Sequence, residues 1–340
     1  MKVFSCPQCS QPIFFENNRC LNCNSALGFN PLSFDFVPIS HLAPYCANHA
    51  RDVCNWIAPD AISDQYCLAC SFNGMIPHYE DRINFEKWRQ MELAKHRLIY
   101  QILTLKLPLI PKTKDPAFGL SFDFLVPDSS ENRMTGHAKG VITILLDEGD
   151  SVHREQIRKQ LSEPYRTLLG HFRHEIGHYY WMLLSDQADQ MGFHEVFGDE
   201  TINYAAALQN YYMSGAPQEW NLHFISKYAS AHPWEDWAET WAHYMHLMDT
   251  LETAHYLGLS LESKYQVAFM NLQKAKNPYQ TQSFREIFEE GVSLTCAGNS
   301  LNRSMGLPDI YPFVWSEAIY KKLEFIHQFV KSHQQNEWSN

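Results

Sequence analysis

The sequence has no long apolar segment and no excess of basic residues, and each absence narrows the range of possible functions. Even the apolar run Gly140–Leu146 is far shorter than the roughly 20 residues that a membrane-spanning helix needs. The N-terminus has no basic stretch followed by an apolar one, so no secretory signal is expected. Because 27 Lys and Arg residues stand against 38 Asp and Glu residues, the formal net charge is −11, which disfavours a general nucleic-acid binder. We therefore expect a cytoplasmic protein that binds neither membranes nor nucleic acid.

Most of the nine cysteines are paired at C-x-x-C spacing, which is typical of metal thiolates in a reducing compartment. Two pairs ten residues apart predict a zinc ribbon, in which four thiolates enclose a structural ion. These residues are Cys6, Cys9, Cys20 and Cys23. A second four-cysteine zinc site is predicted from Cys46, Cys54, Cys67 and Cys70. His49 is an alternative ligand there, and Cys296 is a ninth thiol expected in the core.

Residues 1–75 contain few large apolar side chains, so we expect bound zinc to stabilise this segment. Its three basic and five acidic residues give a net charge of −2, which disfavours a DNA-binding ribbon. Docking of a protein partner, or presentation of substrate, is the expected role. The sequence therefore predicts a zinc-ribbon domain over residues 1–75 and a larger domain over residues 76–340.

The larger domain is predicted to begin with a helix and two strands. Apolar residues recur at helical spacing between Phe85 and Leu105. Leu120–Val126 and Gly140–Leu146 have the composition of strands. The second strand is either the edge of a cleft, where an extended peptide could pair with it, or a buried central strand.

The candidate catalytic motif is His174-Glu175-Ile176-Gly177-His178, an H-E-x-x-H pattern on a predicted helix. Histidines one turn apart share a helix face and can bind the same Zn²⁺ ion. Glu175 is placed to take a proton from a water on that ion. The flanking residues are mostly apolar, so these polar side chains are expected to be buried with partners. Pro164 suits the first turn of the helix.

A catalytic zinc site needs a third protein ligand, and the predicted helix that starts at Pro233 is its best source. Glu235 and Glu239 lie one turn apart on this helix, beside tryptophans. One can bind zinc while the other accepts the N–H of a zinc-bound histidine, and the spacing leaves open which does so. Rival nitrogen ligands are His232, His243 and His246. The third histidine of the metzincin pattern is absent, because Leu184 occupies its position.

The segment Glu235-Asp236-Trp237-Ala238-Glu239 resembles the E-x-x-A-E helix of the gluzincins, and the arrangement is similar to the catalytic domain of anthrax lethal factor. The resemblance implies that Glu235 binds zinc and that Glu239 supports a histidine ligand. It also implies that Tyr228, seven residues before Glu235, faces the reaction centre and donates to the developing oxyanion. Asp236 is an additional carboxylate directly beside the implied ligand.

Nearly the whole chain resembles an uncharacterised bacterial group of zinc-binding metallopeptidases with an N-terminal zinc ribbon. The runs that carry this resemblance are 163–175 and 232–240. The expected fold is α+β, with a zinc-ribbon domain followed by a mainly helical, zincin-like domain that has a small mixed sheet.

The expected function is hydrolysis of a peptide or protein substrate, with one catalytic and two structural zinc ions. The catalytic zinc would polarise the scissile carbonyl and lower the pKa of its water to about 7. Glu175 would act as general base and later protonate the leaving amine. Two alternatives stay open: an amide hydrolase with a non-protein substrate, and a zinc-binding adaptor without turnover that recruits a protein partner through the ribbons.

Overall fold

The structure is a computed structural model of the 340-residue chain, and it describes residues 1–59, 65–78, 80–128, 134–160, 163–262, 272, 274–281 and 283–334. The chain forms two compact units. One unit comprises Lys2–Thr104 and Leu109–Ile157, and the other comprises Met1, Leu105–Pro108 and Arg158–Asn340. The cysteine-rich segment thus shares a unit with the residues that follow it. The domain boundary between residues 75 and 76 stays a prediction.

Two short hairpins open the first unit. Strand β1 (Phe4–Ser5) pairs antiparallel with β2 (Pro12–Ile13), and β3 (Leu27–Asn30) pairs antiparallel with β4 (Asp35–Pro38). Their buried rings pack on the long helix α1 (Arg82–Leu105), with Tyr100 5.3 Å from Phe15 and 5.8 Å from Phe29 between ring centroids. The ribbon segment therefore completes its core with a ring supplied by a later part of the chain.

A three-stranded mixed sheet follows α1. Strand β7 (Val141–Leu145) lies between β5 (Ser121–Leu125), to which it is parallel, and β6 (Gly136–Ala138), to which it is antiparallel. Of the two alternatives for this strand, the cleft edge is wrong, because β5 and β6 use both of its backbone edges along Val141–Thr143. The other alternative, a central strand, is the one observed, and α2 (Ser151–Gln160) comes next in the chain.

The second unit is helical. Its helices are α3 (Leu168–Gln190), α4 (Phe193–Phe197), α5 (Tyr204–Ser214), α6 (Trp220–His223), α7 (Pro233–Leu257), α8 (Phe284–Ser304) and α9 (Glu317–Ser332). Helix α7 is its central element and packs against α3, α8 and α9. The helical content and the small mixed sheet confirm the predicted α+β class.

Two local features fix where the central helices begin. The Thr167 hydroxyl accepts the N–H of Gly170 at 3.0 Å, so α3 starts at Leu168 and Pro164 lies ahead of it, against the prediction. His232 caps α7 by accepting the N–H of Trp234 at 3.0 Å, and Pro233 occupies the first turn as predicted.

Among the helices of the described residues, none combines the length and apolarity needed to span a bilayer.

Candidate metal centres

Helices α3 and α7 bring three donor atoms together in the second unit. Nε2 of His174 lies 3.1 Å from Nε2 of His178 and 3.1 Å from Oε2 of Glu235. The third side of this triangle, from His178 to Glu235, measures 3.5 Å. Ligands about 2.05 Å from a tetrahedral zinc ion would be about 3.3 Å apart, so the donor set fits that ion.

The chemistry of these side chains also favours a cation. Oε2 of Glu235 is buried and makes no hydrogen bond within the described part of the chain, and the same holds for Oε2 of Glu175. Burial lowers the pKa of His174, but Glu235 and Glu239 outweigh burial and leave that pKa well above its usual value. Buried carboxylates without a hydrogen-bond donor are stabilised by a nearby positive charge, and a metal ion would supply it.

Glu239 fixes the orientation of His174. The Nδ1–H group of His174 donates to Oε1 of Glu239 at 2.7 Å, which leaves Nε2 facing the other two donor atoms. The second oxygen of Glu239 accepts a hydrogen bond from the Ser226 hydroxyl at 2.6 Å. Burial raises the pKa of Glu239, but the neighbouring His174 prevails and lowers it to about 2. The two glutamates thus have different positions, with Glu235 at the centre and Glu239 behind His174.

Tyr204, which sequence reasoning did not place in the site, contacts the centre through Glu235. Its hydroxyl donates to Oε1 of Glu235 at 2.5 Å. Burial raises the pKa of Tyr204, and the Glu235 carboxylate and, more weakly, the Glu175 carboxylate raise it further. Tyr204 lies 31 residues before Glu235 and belongs to no spacing motif, so only the packing of α5 could reveal it.

The first cysteine group lies in the other unit. Cys6, Cys9, Cys20 and Cys23 place one sulfur each within 4.8 Å of one another. Sγ of Cys6 is 3.6 Å from that of Cys23, and Sγ of Cys9 is 3.5 Å from that of Cys20. Thiolates about 2.3 Å from a tetrahedral zinc ion would be about 3.8 Å apart, so the four sulfurs fit such an ion.

The second cysteine group is fully buried and contacts α1. Its members are Cys46, Cys54, Cys67 and Cys70. The sulfurs of Cys54 and Cys67 are 3.6 Å apart, which again fits a tetrahedral zinc ion. Nε2 of His96, on α1, lies 3.2 Å from the Cys54 sulfur, a contact that the sequence did not suggest. His49, the predicted alternative ligand, instead directs Nδ1 at the carbonyl of Cys54 at 2.9 Å and stacks on Tyr45.

Comparison with known families identifies both parts of the chain. The family described as "Putative zinc-binding metallo-peptidase" matches residues 84–329, and a zinc-ribbon domain family matches residues 3–81. The chain belongs to this metallopeptidase family. The predicted family resemblance is thereby confirmed, and so is the N-terminal zinc ribbon.

Relatives of this metallopeptidase-family chain extend over nearly its whole length. Two of them are "Uncharacterized protein Rv2568c" of Mycobacterium tuberculosis and "Uncharacterized protein Mb2598c" of Mycobacterium bovis. Each is 42% identical to the chain over 334 residues, which is 97% of this chain and 95% of the relative. No solved structure matches the chain.

The rival histidines of this metallopeptidase-family chain have other partners. His232 caps α7 through Nδ1, and its Nε2 lies 3.1 Å from the carbonyl of Ile202. Nδ1 of His243 is 2.5 Å from the hydroxyl of Tyr311, and burial lowers the pKa of His243 to about 4. Nδ1 of His246 is 2.6 Å from the guanidinium of Arg173. The structure therefore brings none of the three into the donor group of α3 and α7.

Asp236, the additional carboxylate beside Glu235, points to another helix. Its Oδ2 accepts a hydrogen bond from Nζ of Lys322, on α9, at 2.6 Å. Burial raises the pKa of Asp236 to about 7, against the opposing influence of Lys322. Glu235 and Asp236 thus face different helices, because successive residues of a helix point about 100° apart.

Tyr228 lies beside His174. Its ring centroid is 6.0 Å from that of His174 and 5.7 Å from that of Tyr211 on α5. Burial, followed by the nearby Glu235 carboxylate, raises the pKa of Tyr228, so the phenol keeps its proton at neutral pH. A protonated phenol next to the donor group is available as a hydrogen-bond donor.

Proposed function

We propose that this protein is a zinc-dependent metallopeptidase whose centre is formed by His174, His178 and Glu235. The observation that carries the proposal is the triangle of donor atoms, with sides of 3.1, 3.1 and 3.5 Å. Three protein ligands leave a fourth tetrahedral position open, which is the hallmark of catalytic rather than structural zinc. The family description supports a peptide or protein as the substrate.

A zinc ion held there would supply Lewis-acid polarisation of the scissile carbonyl and would lower the pKa of a bound water to about 7. The proton transfers are assigned to a side chain of the protein. Glu175, 8% exposed and with a carboxylate oxygen lacking a hydrogen bond within the described residues, takes the proton of the attacking water. It then returns that proton to the leaving amine.

Tyr228 and Glu239 complete the proposed machinery. The protonated phenol of Tyr228 donates a hydrogen bond to the oxygen that gains negative charge as the peptide carbonyl becomes tetrahedral. Glu239 keeps the Nδ1–H group of His174 engaged, so the imidazole presents only its Nε2 lone pair. The two cysteine groups are proposed to hold structural zinc, for a total of about three ions per chain.

The test combines metal content with hydrolysis of an internally quenched peptide library. We expect about three zinc ions in the wild type, about two in Glu235→Ala, and about three in Glu239→Ala, whose site is weakened but keeps its ligands. Glu175→Gln should keep its zinc and lose activity by about 100-fold or more, since it removes only the base.

Three outcomes would count against the proposal. Loss of the third ion in Glu239→Ala and not in Glu235→Ala would exchange the roles of the two glutamates. Unchanged hydrolysis in Glu175→Gln would remove that residue as the base. A wild type that holds three ions and cleaves no peptide in the library would favour the zinc-binding adaptor or a non-protein substrate.

A further inference from the structure

The two carboxylate oxygens of Glu235 have different surroundings. Oε2 faces the imidazoles of His174 and His178, while Oε1 accepts the hydroxyl proton of Tyr204 at 2.5 Å. Glu235 is 1% exposed, so neither oxygen can rely on bulk water for a partner. A carboxylate can bind a metal through one oxygen or through both. The partner of Oε1 therefore influences which of these modes Glu235 adopts.

Tyr204 is held in place by the residue that also caps α7. The Tyr204 ring packs edge-on against His232, at 5.1 Å between centroids, and lies 5.5 Å from the ring of Trp234. Nδ1 of His232 accepts the N–H of Trp234, so its Nε2–H group donates to the carbonyl of Ile202, two residues before Tyr204. One histidine thus joins the start of α7, which carries Glu235, to the start of α5, which carries Tyr204.

We propose that Tyr204 is a positioning residue that keeps Glu235 a one-oxygen ligand and so reserves the fourth position on the metal for water and substrate. This inference rests on the proposed function. With the phenol present, Oε1 has a hydrogen-bond donor and does not need the cation. Without it, Oε1 would be buried and unpaired, and the nearest available positive charge would be the metal ion. Binding through both oxygens would then compete with the water.

The experiment uses Co²⁺ in place of zinc in the full-length protein, with Tyr204→Phe as the test variant. Phenylalanine keeps the ring that packs on His232 and removes only the hydroxyl. Tetrahedral Co²⁺ absorbs visible light several-fold more strongly than five-coordinate Co²⁺, so coordination number can be read directly. We expect the part of the visible absorption that Glu235→Ala abolishes, which belongs to this centre and not to the two cysteine groups, to weaken several-fold in Tyr204→Phe. We expect kcat to fall at least tenfold with little change in KM.

Tyr320→Phe is the matched control. The Tyr320 hydroxyl also donates to a carboxylate, Oε1 of Glu324 at 2.8 Å, but both residues lie on α9 and neither contacts the proposed ligands. It should keep the wild-type spectrum and kcat.

The outcomes separate this inference from the proposed function. If the wild type shows the tetrahedral band and hydrolyses peptide while Tyr204→Phe matches it in both, the role of Tyr204 is overturned and the peptidase proposal stands. If Glu235→Ala has the same cobalt spectrum as the wild type, the proposed metal centre itself is overturned. If Tyr320→Phe changes the spectrum as much as Tyr204→Phe, the effect is not specific to Glu235 and the inference fails.

Discussion

A buried arginine next to the metal motif supports the histidine-bearing helix. Arg173 is 2% exposed and directly precedes His174 on α3. Its Nη2 group donates to Oδ2 of Asp249, on α7, at 2.6 Å, and its Nη1 group approaches His246. Burial raises the pKa of Asp249, but the guanidinium of Arg173 and the N-terminal ammonium of Met1 together outweigh burial and hold that pKa below its usual value. This ion pair joins the two helices that carry the proposed ligands.

Asp249→Asn should therefore destabilise the protein markedly. The substitution leaves the guanidinium of Arg173 buried without its counter-charge, and losses of this kind reduce the free energy of unfolding by about 3 kcal/mol. Urea unfolding at neutral pH measures the change. Asp309→Asn is the control, because its partner Arg303 is 68% exposed, and such surface pairs are worth at most about 1 kcal/mol. Equal losses in both variants would contradict the structural role of the buried pair.

The pH dependence of this difference has a defined sign. The folded-state pKa of Asp249 is depressed, so its contribution is fully present above the unfolded-state value of about 3.9. It is lost as the pH falls through the folded-state pKa. The difference in unfolding free energy between wild type and Asp249→Asn should therefore be constant near neutral pH and shrink below about pH 4. A difference in unfolding free energy that grows on acidification would contradict the lowered pKa of Asp249.

At the scale of elements, the site depends on the close approach of α3 and α7. The indole N–H of Trp237 donates to the carbonyl of Gly177 at 2.9 Å. A Cβ atom at Gly177 would lie 3.1 Å from Cα of Ala238 and 3.1 Å from Cβ of Trp241. Both neighbours are fixed parts of α7, so the variable position inside the H-E-x-x-H motif has a packing role.

Gly177→Ala is predicted to weaken the proposed metal centre. The added methyl group forces α3 and α7 apart by a few tenths of an ångström, which moves His174 and His178 away from Glu235. We expect about a tenfold loss of affinity for zinc at this centre, measured by competition with a chromogenic chelator. Gly298→Ala on α8 is the control, since its Cβ would meet only Cδ1 of Ile310, at an ordinary 3.4 Å. Unchanged affinity in Gly177→Ala would show that the helices tolerate the methyl group.

Helical spacing in the sequence predicted α1, α3 and α7, because each has an apolar face that must be buried. It did not predict that α3 starts at Leu168, which depends on the hydroxyl of Thr167. It also left the position of β7 undecided. Two alternating buried residues, Ile142 and Ile144, suit an edge strand as well as a central one, and only the pairing with β5 and β6 distinguishes them.

At the scale of the whole molecule, the second cysteine group links the ribbon segment to α1 within one unit. Its four sulfurs are buried, and Nε2 of His96 on α1 lies 3.2 Å from the Cys54 sulfur and 3.8 Å from the Cys70 sulfur. Glu92 and Lys95, both fully buried on the same helix, form an ion pair of 2.8 Å beside it. The buried sulfurs thus lie next to a buried ion pair of α1. The helix and the proposed zinc ion are therefore expected to stabilise one another.

Cys67→Ser should accordingly lose about one zinc ion and destabilise α1. Elemental analysis gives the stoichiometry, and hydrogen exchange followed by mass spectrometry reports on residues 82–104. We expect exchange there to rise by at least tenfold, because the ion contributes folding free energy to its surroundings. Cys296→Ser is the control, since this thiol on α8 belongs to neither cysteine group. Unchanged protection of α1 in Cys67→Ser would show that the helix folds independently of that ion.

The sequence by itself determined the family, the α+β class, the two cysteine groups and which residues form the H-E-x-x-H motif. These features depend on residue types at short spacing, and such spacing places side chains on one helix face or around one ion whatever the rest of the chain does. Spacing left open which of Glu235 and Glu239 is the ligand, although the resemblance implied Glu235. Tertiary structure decided that Glu235 faces His174 and His178 while Glu239 lies behind His174. It also decided the positions of Tyr204 and His96, because α5 and α1 reach their partners only when distant segments pack together, and no local pattern records which side chains will then meet.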